Sequence, residues 1–303
     1  MLTEYEINLS ACVDVIKESL IKILLSSLIL LTPLILYAIF SPKVYSSSII
    51  VAPVDEVQGG GLSAISSQLG SIASLTGLSL GSQSNEIQLA IETMKSKKFI
   101  SSVVDKYKLK PFVMAAKNFS YETGIAYDSS VFNDADLTWK RDVDFPLSPE
   151  PNDVEVWEEF LKLFKIENDE DAGLVKITFN TISPYFSEKL PQIFIDEIND
   201  YMRKEKVAEA KQSIVYLSEQ LEKTDVPEME KVFYQLIEEQ MKNSMLAEVR
   251  KEYVFKIIDP SYEPYKYNLK SKIILVVVGL LFSFFLVTFY FLFINRSKLI
   301  LNK

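Results

Sequence analysis

The sequence predicts an α+β fold in which a membrane-proximal sheet and a long helical hairpin are flanked by two transmembrane helices. Three observations lead to this prediction. Two apolar runs near the ends of the chain contain no Asp, Glu, Lys or Arg. Short stretches between them have the composition or alternation of β-strands, and one run of roughly 40 residues has the period of a helix. The predicted boundaries are a tail at 1–22, a first span at 23–42, a central domain at 43–271, a second span at 272–294 and a tail at 295–303.

The first apolar run extends from Ile23 to Phe40 and the second from Ile273 to Ile294. A helix needs roughly 20 apolar residues to cross the hydrocarbon core of a bilayer, and both runs meet or nearly meet that length. A cleaved signal peptide is the alternative for the first run. It is disfavoured because four acidic residues precede the run and no Ala-x-Ala cleavage site directly follows Phe40. Two spans put both termini on one side of the membrane and the central domain on the other.

The orientation is predicted from compartment chemistry, since Lys and Arg are nearly balanced on the two sides of the spans. The only cysteine is Cys12, in the tail predicted to be cytoplasmic, and the cysteine-free central domain is compatible with the periplasm. The two tails carry four acidic and five basic residues, which leaves 37 acidic and 27 basic residues between them. An acidic domain is not expected to bind nucleic acid.

The composition also excludes several classes of catalytic site. The chain has no histidine, so Ser–His and Cys–His triads and the common histidine metal sites are excluded. No G-x-x-x-x-G-K-[ST] segment is present. Acidic pairs such as Asp134 with Asp136, or Glu158 with Glu159, resemble the carboxylates of glycosidases, but carboxylates this common are usually solvated surface groups. We therefore expect no enzyme activity, cofactor or metal.

The first element after the first span is a predicted strand, Lys43–Pro53, rich in β-branched and aromatic residues. The following stretch, 57–85, is uncharged and begins near a run of three glycines. It is either a flexible Gly/Ser linker or a low-polarity amphipathic helix that packs on a neighbouring subunit or near the membrane surface. The helix interpretation depends on apolar residues spaced three and four apart. Its candidate residues are Gly59, Gly60, Gly61, Leu69 and Leu75.

The middle of the central domain is predicted to alternate helices with loops. A helical pattern covers 85–107, and the proline-punctuated segment 111–155 is expected to form loops and short helices. Val154–Phe164 is predicted to be a helix with Trp157, Phe160 and Phe164 on one face. Leu174–Asn180 alternates apolar and polar residues, as a strand does.

The longest regular element is a predicted helix at 184–223, with Ser183 as its cap and Pro184 at its first position. At about 1.5 Å per residue it would be roughly 60 Å long, and Glu228–Val249 would return as a second helix. Such a helix cannot cover both of its apolar sides with its own chain. We therefore expect neighbouring subunits to contact it, with candidate interface residues Ile214, Leu217 and Leu221.

A last strand, Glu252–Asp259, is expected to pair with the first one and to close the sheet near the membrane. Pro260 and Pro264 follow it and are candidate residues for packing at the second span, together with Gly279 and Ser283. Within the second span, Gly279 and Ser283 are four residues apart, the small-xxx-small spacing that lets membrane helices approach closely. The alternative is that they are incidental small residues facing lipid, and both interpretations stay open at this point.

These features together resemble the Wzz-type chain-length determinant proteins, which are polysaccharide co-polymerases of bacterial inner membranes. The resemblance is carried by two terminal spans, by Val44-Tyr45-Ser46 after the first span, and by the segment from Val232 to Pro260. The proline run before the second span departs from the family pattern, since only Pro260 and Pro264 are present. The shorter proline run bears on how rigid the chain is where it enters the second span, and it does not affect the family resemblance.

The resemblance implies a regulator of polysaccharide chain length that performs no chemistry. Such a protein forms a ring, commonly of eight subunits, and acts as a scaffold for a Wzy-type polymerase that extends a lipid-linked glycan, such as O-antigen, in the inner membrane. The alternatives are a two-span periplasmic sensor and an exopolysaccharide export component. Tails of about 22 and nine residues would leave no room for a sensor output domain or a tyrosine kinase domain.

Overall fold

The computed structural model describes residues 9–54 and 83–295, which fall into two units. One unit contains the described residues up to Lys43 and from Tyr267 onward, and the other is Val44–Lys266. The low-polarity segment, with Gly59, Gly60, Gly61, Leu69 and Leu75, lies outside the described residues. In chain order the helices are α1 Leu9–Phe40, α2 Gln83–Lys95, α3 Lys97–Lys106, α4 Lys110–Ala115, α5 Asp153–Leu161, α6 Pro184–Glu222, α7 Pro227–Val249 and α8 Lys270–Ile294. The strands are β1 Tyr45–Pro53, β2 Ala116–Ser120, β3 Gly124–Tyr127, β4 Phe132–Asn133, β5 Thr138–Trp139, β6 Phe164–Asp169, β7 Leu174–Thr181 and β8 Phe255–Asp259.

Helices α1 and α8 contain two segments long and apolar enough to cross a membrane, Ser19–Phe40 and Lys272–Ile294. Helix α1 begins at Leu9, so it extends into the stretch predicted as a tail. Pro33 lies inside α1, where it removes one backbone donor. The mixed helix and strand composition, the long hairpin and the two apolar terminal helices confirm the predicted fold class.

The central sheet has four strands in the order β6-β7-β1-β8, and every neighbouring pair is antiparallel. Strand β1 pairs with β7 from Tyr45 to Val51, and it pairs with β8 from Ile50 to Pro53. Ile49 and Val51 are fully buried and alternate with less buried neighbours, because successive side chains point to opposite faces of a strand. The predicted pairing of the first and last strands is therefore confirmed.

Helix α6 divides into two parts with different partners. Its first half contributes Leu190, Phe194, Ile195 and Ile198, all fully buried, to the core that covers the sheet. Phe194 stacks on Phe160 with the ring centroids 5.3 Å apart and the planes 9° from parallel. Burying large aromatic rings is among the strongest apolar contributions to folding. The second half of α6 extends beyond this core and pairs with α7.

The structure corrects the prediction for the middle of the domain. Phe164 starts strand β6 instead of ending a helix, since α5 ends at Leu161. Its ring still joins the core, stacked 5.3 Å from Phe179. Residues 116–139 contain two small antiparallel hairpins, β2–β3 and β4–β5, where only loops and short helices were expected. The helix expected at 85–107 is divided at Ser96, which caps α3 by accepting a hydrogen bond from the Phe99 amide.

A buried asparagine attaches α6 to β8. Asn199, only 3% exposed, accepts hydrogen bonds at Oδ1 from the amides of Val254 and Phe255, each at 2.9 Å. Its Nδ2 donates to the Phe255 carbonyl at 2.8 Å. The side-chain amide thus satisfies three backbone groups at the start of β8. A buried polar group without such a partner costs about 1–3 kcal/mol.

Replacing Asn199 with Leu is expected to lower the free energy of unfolding by about 3 kcal/mol or more, because two amides and one carbonyl lose their partner. Thermal unfolding of the full chain in detergent, followed by circular dichroism, measures this loss. Asn168→Leu is the matched control, since Asn168 is exposed on β6. It should change the free energy by no more than about 0.5 kcal/mol. Equal stability of the two variants would contradict the role assigned to Asn199.

Candidate functional site

The second half of α6 and helix α7 form an antiparallel hairpin joined by four residues, 223–226. The more buried positions of the two helices recur at alternating spacings of three and four, which is the repeat of a coiled coil. We call these positions the hairpin seam. They are Val207, Ala210, Ile214, Leu217 and Leu221 on α6, and Phe233, Ile237, Gln240, Ser244 and Ala247 on α7.

The three predicted interface residues, Ile214, Leu217 and Leu221, therefore lie on the seam within one chain. Each is half-buried there, whereas Val215 and Tyr216 beside them are exposed. Packing within the hairpin explains the apolar period that the sequence shows. A contact between these three residues and a neighbouring subunit stays a prediction.

Helix α7 also carries exposed apolar side chains on both sides of the seam, which the sequence analysis did not single out. The first flank is Met229, Val232 and Leu236, and the second flank is Tyr234, Met241 and Met245; all six are exposed. At 3.6 residues per turn, the two flanks lie on opposite sides of the seam positions. Apolar patches of this kind commonly mark contact surfaces.

Helices α1 and α8 pack through small side chains. Ser27 on α1 and Gly279 and Ser283 on α8 lie along this contact, and Ser283 is only 4% exposed. A Cβ atom added at Gly279 would come within 2.1 Å of Leu34 Cδ2. The absence of a side chain at Gly279 therefore leaves room for the Leu34 side chain of α1. The two residues predicted from spacing lie where the helices meet.

The two prolines before the second span differ in burial: Pro264 is buried and Pro260 is exposed. The segment between them is held by hydrogen bonds. Ser47 Oγ donates to the Tyr262 carbonyl at 2.7 Å, and Ser261 Oγ donates to the Glu188 carbonyl at 2.6 Å. These bonds fix the segment after β8 against β1 and the start of α6. A direct role of either proline in membrane packing stays a prediction.

Two of the four carboxylates considered for catalysis, Asp136 and Glu159, have ordinary surface partners. Asn133 Nδ2 donates to Asp136 at 2.6 Å, and Glu159 forms an ion pair with Lys162 at 2.5 Å. Within residues 9–54 and 83–295 no group of three or more Cys, Asp or Glu side chains is arranged to hold a metal ion. These contacts give no geometric support to a catalytic pair.

The pKa shifts belong to local contacts of a similar kind. Hydrogen bonds from Ser130 and Lys117 lower the pKa of Asp128 to about 2. The Arg141 guanidinium, donating to Glu155, lowers the pKa of that carboxyl. Both shifts arise from partners that stabilise the charged form. Such pairs stabilise loops and helix ends, and they do not bring reactive groups together.

The loop before α5 holds an aromatic side chain out in solvent. Phe145 is 96% exposed at a turn in which the Leu147 amide donates to the Asp144 carbonyl. Arg141 fixes this loop by donating to the carbonyls of Ser148 and Pro149 and to Glu155. A sequence reading gives no indication of this residue, because exposure of a lone Phe depends on the fold around it.

A family model and solved structures relate this chain to known proteins. Residues 5–107 match the family model described as chain length determinant protein, Wzz. The match confirms the resemblance over that part of the chain, and no curated protein matches the sequence. Among solved structures, a full-length bacterial polysaccharide co-polymerase is similar at 10% identity, covering 94% of this chain and 97% of that one, with a TM-score of 0.34. A fragment of WzzB, a polysaccharide co-polymerase from Salmonella Typhimurium, is similar at 13% identity, covering 74% and 98%, with a TM-score of 0.33.

Proposed function

We propose that this chain is a chain length determinant protein that regulates the length of a bacterial surface polysaccharide. The observation that carries the proposal is the family match over residues 5–107, which includes the first span and strand β1. The arrangement of two apolar helices around a central α+β unit supports it. The protein acts as a scaffold for a membrane polymerase of the Wzy type and performs no chemistry on the glycan.

The two flanks of α7 support assembly into a ring. A two-fold dimer buries the same patch on both subunits, whereas a ring needs two different surfaces on each subunit. The first flank and the second flank are two such surfaces, on opposite sides of one helix. One subunit would place its first flank against the second flank of the next. An octamer is the ring size that the family resemblance implies.

The proposed location is the bacterial inner membrane, with both termini cytoplasmic and the central domain, residues 43–271, in the periplasm. The spans in α1 and α8 supply the two membrane crossings. The proposed partners are the other subunits, the polymerase and its lipid-linked glycan, which is O-antigen or a related polymer. The absence of charge in both apolar runs supports crossing by helices.

Deleting the gene should broaden the length distribution of one surface glycan while the total amount of glycan changes little. A gel ladder of the glycan, compared between deleted and complemented cells, measures both quantities. A fall in amount at unchanged length would instead indicate an export component and would contradict regulation of length. Single Ala variants at Asp134, Asp136, Glu158 and Glu159 serve as controls for an enzyme, and each should restore the normal ladder.

A further inference from the structure

Two lysines at one end of the α1–α8 helix pair are held in place by neutral groups. Lys272 Nζ donates to the Ser41 carbonyl at 2.8 Å, just past the end of α1. Lys43 Nζ lies 5.5 Å from the centroid of the Tyr267 ring. A carbonyl and an aromatic ring orient an ammonium group, but neither neutralises its charge. We call Lys43, Lys272, Ser41 and Tyr267 the interfacial lysine site.

In the part of the chain that the structure describes, no acidic side chain forms an ion pair with either lysine. The segments 41–43 and 267–272 contain Lys43, Lys270 and Lys272 and no Asp or Glu. Across residues 9–54 and 83–295 neither Lys43 nor Lys272 has an ion-pair partner, whereas cations in the central unit such as Arg141 and Lys162 are paired with glutamates. The site therefore offers two positioned positive charges to an external anion.

The position along the spans identifies the class of anion. Ser41 follows directly after one candidate membrane segment, and Lys272 begins the other. The ends of such segments lie at the level of the lipid headgroups, where tyrosine rings are enriched. A lysine ammonium binds phosphate as a point charge and attracts anionic lipid at this level. We propose that the interfacial lysine site binds the phosphate headgroup of an anionic phospholipid.

The full-length protein, reconstituted in nanodiscs of mixed phosphatidylglycerol and phosphatidylcholine and then released into detergent, tests this proposal. Native mass spectrometry measures the retained phosphatidylglycerol per subunit. Lys43→Gln and Lys272→Gln should each weaken its binding about fivefold, which corresponds to about 1 kcal/mol per lysine, and the double variant should weaken it by roughly 25-fold. Lys43→Arg with Lys272→Arg should keep the lipid, since the charge is preserved.

The matched control is Lys231→Gln with Lys242→Gln, which removes two exposed charges from α7. This variant should retain phosphatidylglycerol as the unchanged protein does. Retention of the lipid by the Lys43/Lys272 double Gln variant, or equal retention of phosphatidylcholine by the unchanged protein, would overturn the proposal. If the Gln variants fail to fold, the salt dependence of the unchanged protein decides: retention should fall as sodium chloride rises, and salt-insensitive retention contradicts the proposal. Release of the lipid by millimolar inorganic diphosphate would assign the site to a diphosphate group instead and would also contradict it.

Discussion

Replacing Val232 and Leu236 on the first flank with glutamate is expected to separate the proposed ring into monomers or small oligomers. Both side chains are exposed in the single chain, so the hairpin itself should tolerate the change. In a ring they would be covered by a neighbouring subunit, where two unpaired carboxylates cost several kcal/mol. Native mass spectrometry of the detergent-solubilised protein measures the size of the assembly, and circular dichroism measures whether the helices persist.

The matched control for this experiment is Gln235→Glu with Lys242→Gln, which makes the same change in net charge on the face of α7 away from the seam. It should leave the assembly intact. A third variant, Leu217→Arg with Leu221→Arg, places charge in the hairpin seam. It should lower the helix content and the stability as well as break the oligomer, because the seam is packed within one chain. An intact ring in the Val232/Leu236 variant would exclude the first flank as an interface.

Replacing both Gly279 and Ser283 with Leu is expected to shift or broaden the glycan length distribution while the central domain stays folded. Even a Cβ atom at Gly279 would lie 2.1 Å from Leu34 Cδ2, and two Leu side chains would require the side chains between α1 and α8 to repack. Overpacking of this kind typically costs about 1–3 kcal/mol. The glycan ladder measures the functional effect, and thermal unfolding of the central domain should be unchanged.

Val278→Leu with Phe282→Leu is the control for that variant, because both side chains are exposed on α8 and the changes stay apolar. This pair should leave the glycan ladder as it is. A normal ladder in the Gly279/Ser283 variant would mean that close packing of the two membrane helices does not contribute to length control.

Long elements with a sustained pattern were predictable from the sequence. Helix α6 was expected at 184–223 and extends from Pro184 to Glu222, and strand β7 differs from its prediction by one residue. Two apolar runs without charge were enough to predict the terminal helices. In each case many residues repeat the same period, so that no single misleading residue changes the outcome.

Short elements and surface roles were not predictable. Phe164 continues the aromatic spacing of Trp157 and Phe160, but the helix ends at Leu161 and the ring reaches the core from a strand. Strands β4 and β5 have two residues each, too few for a periodic pattern. The interface prediction depended on apolar period alone, and period cannot distinguish a seam within one chain from a contact between chains. The two flanks of α7 are defined by their position beside the hairpin seam, and the sequence alone does not give that position.

The hydrogen bond between Ser47 and Tyr262 has a mechanical consequence. Strands β1 and β8 are antiparallel neighbours, so the start of β1 and the end of β8 lie at the same end of the strand pair. A force that pulls these two ends apart would break the backbone hydrogen bonds of the pair one after another. Antiparallel strands resist this direction of force weakly, because the hydrogen bonds are perpendicular to the strands and are loaded singly. The bond from Ser47 Oγ to the Tyr262 carbonyl lies ahead of the first ladder bond and would carry that load first. A lateral force on the chain segments that lead from β1 to α1 and from β8 to α8 would therefore load the Ser47–Tyr262 hydrogen bond before it loaded the sheet.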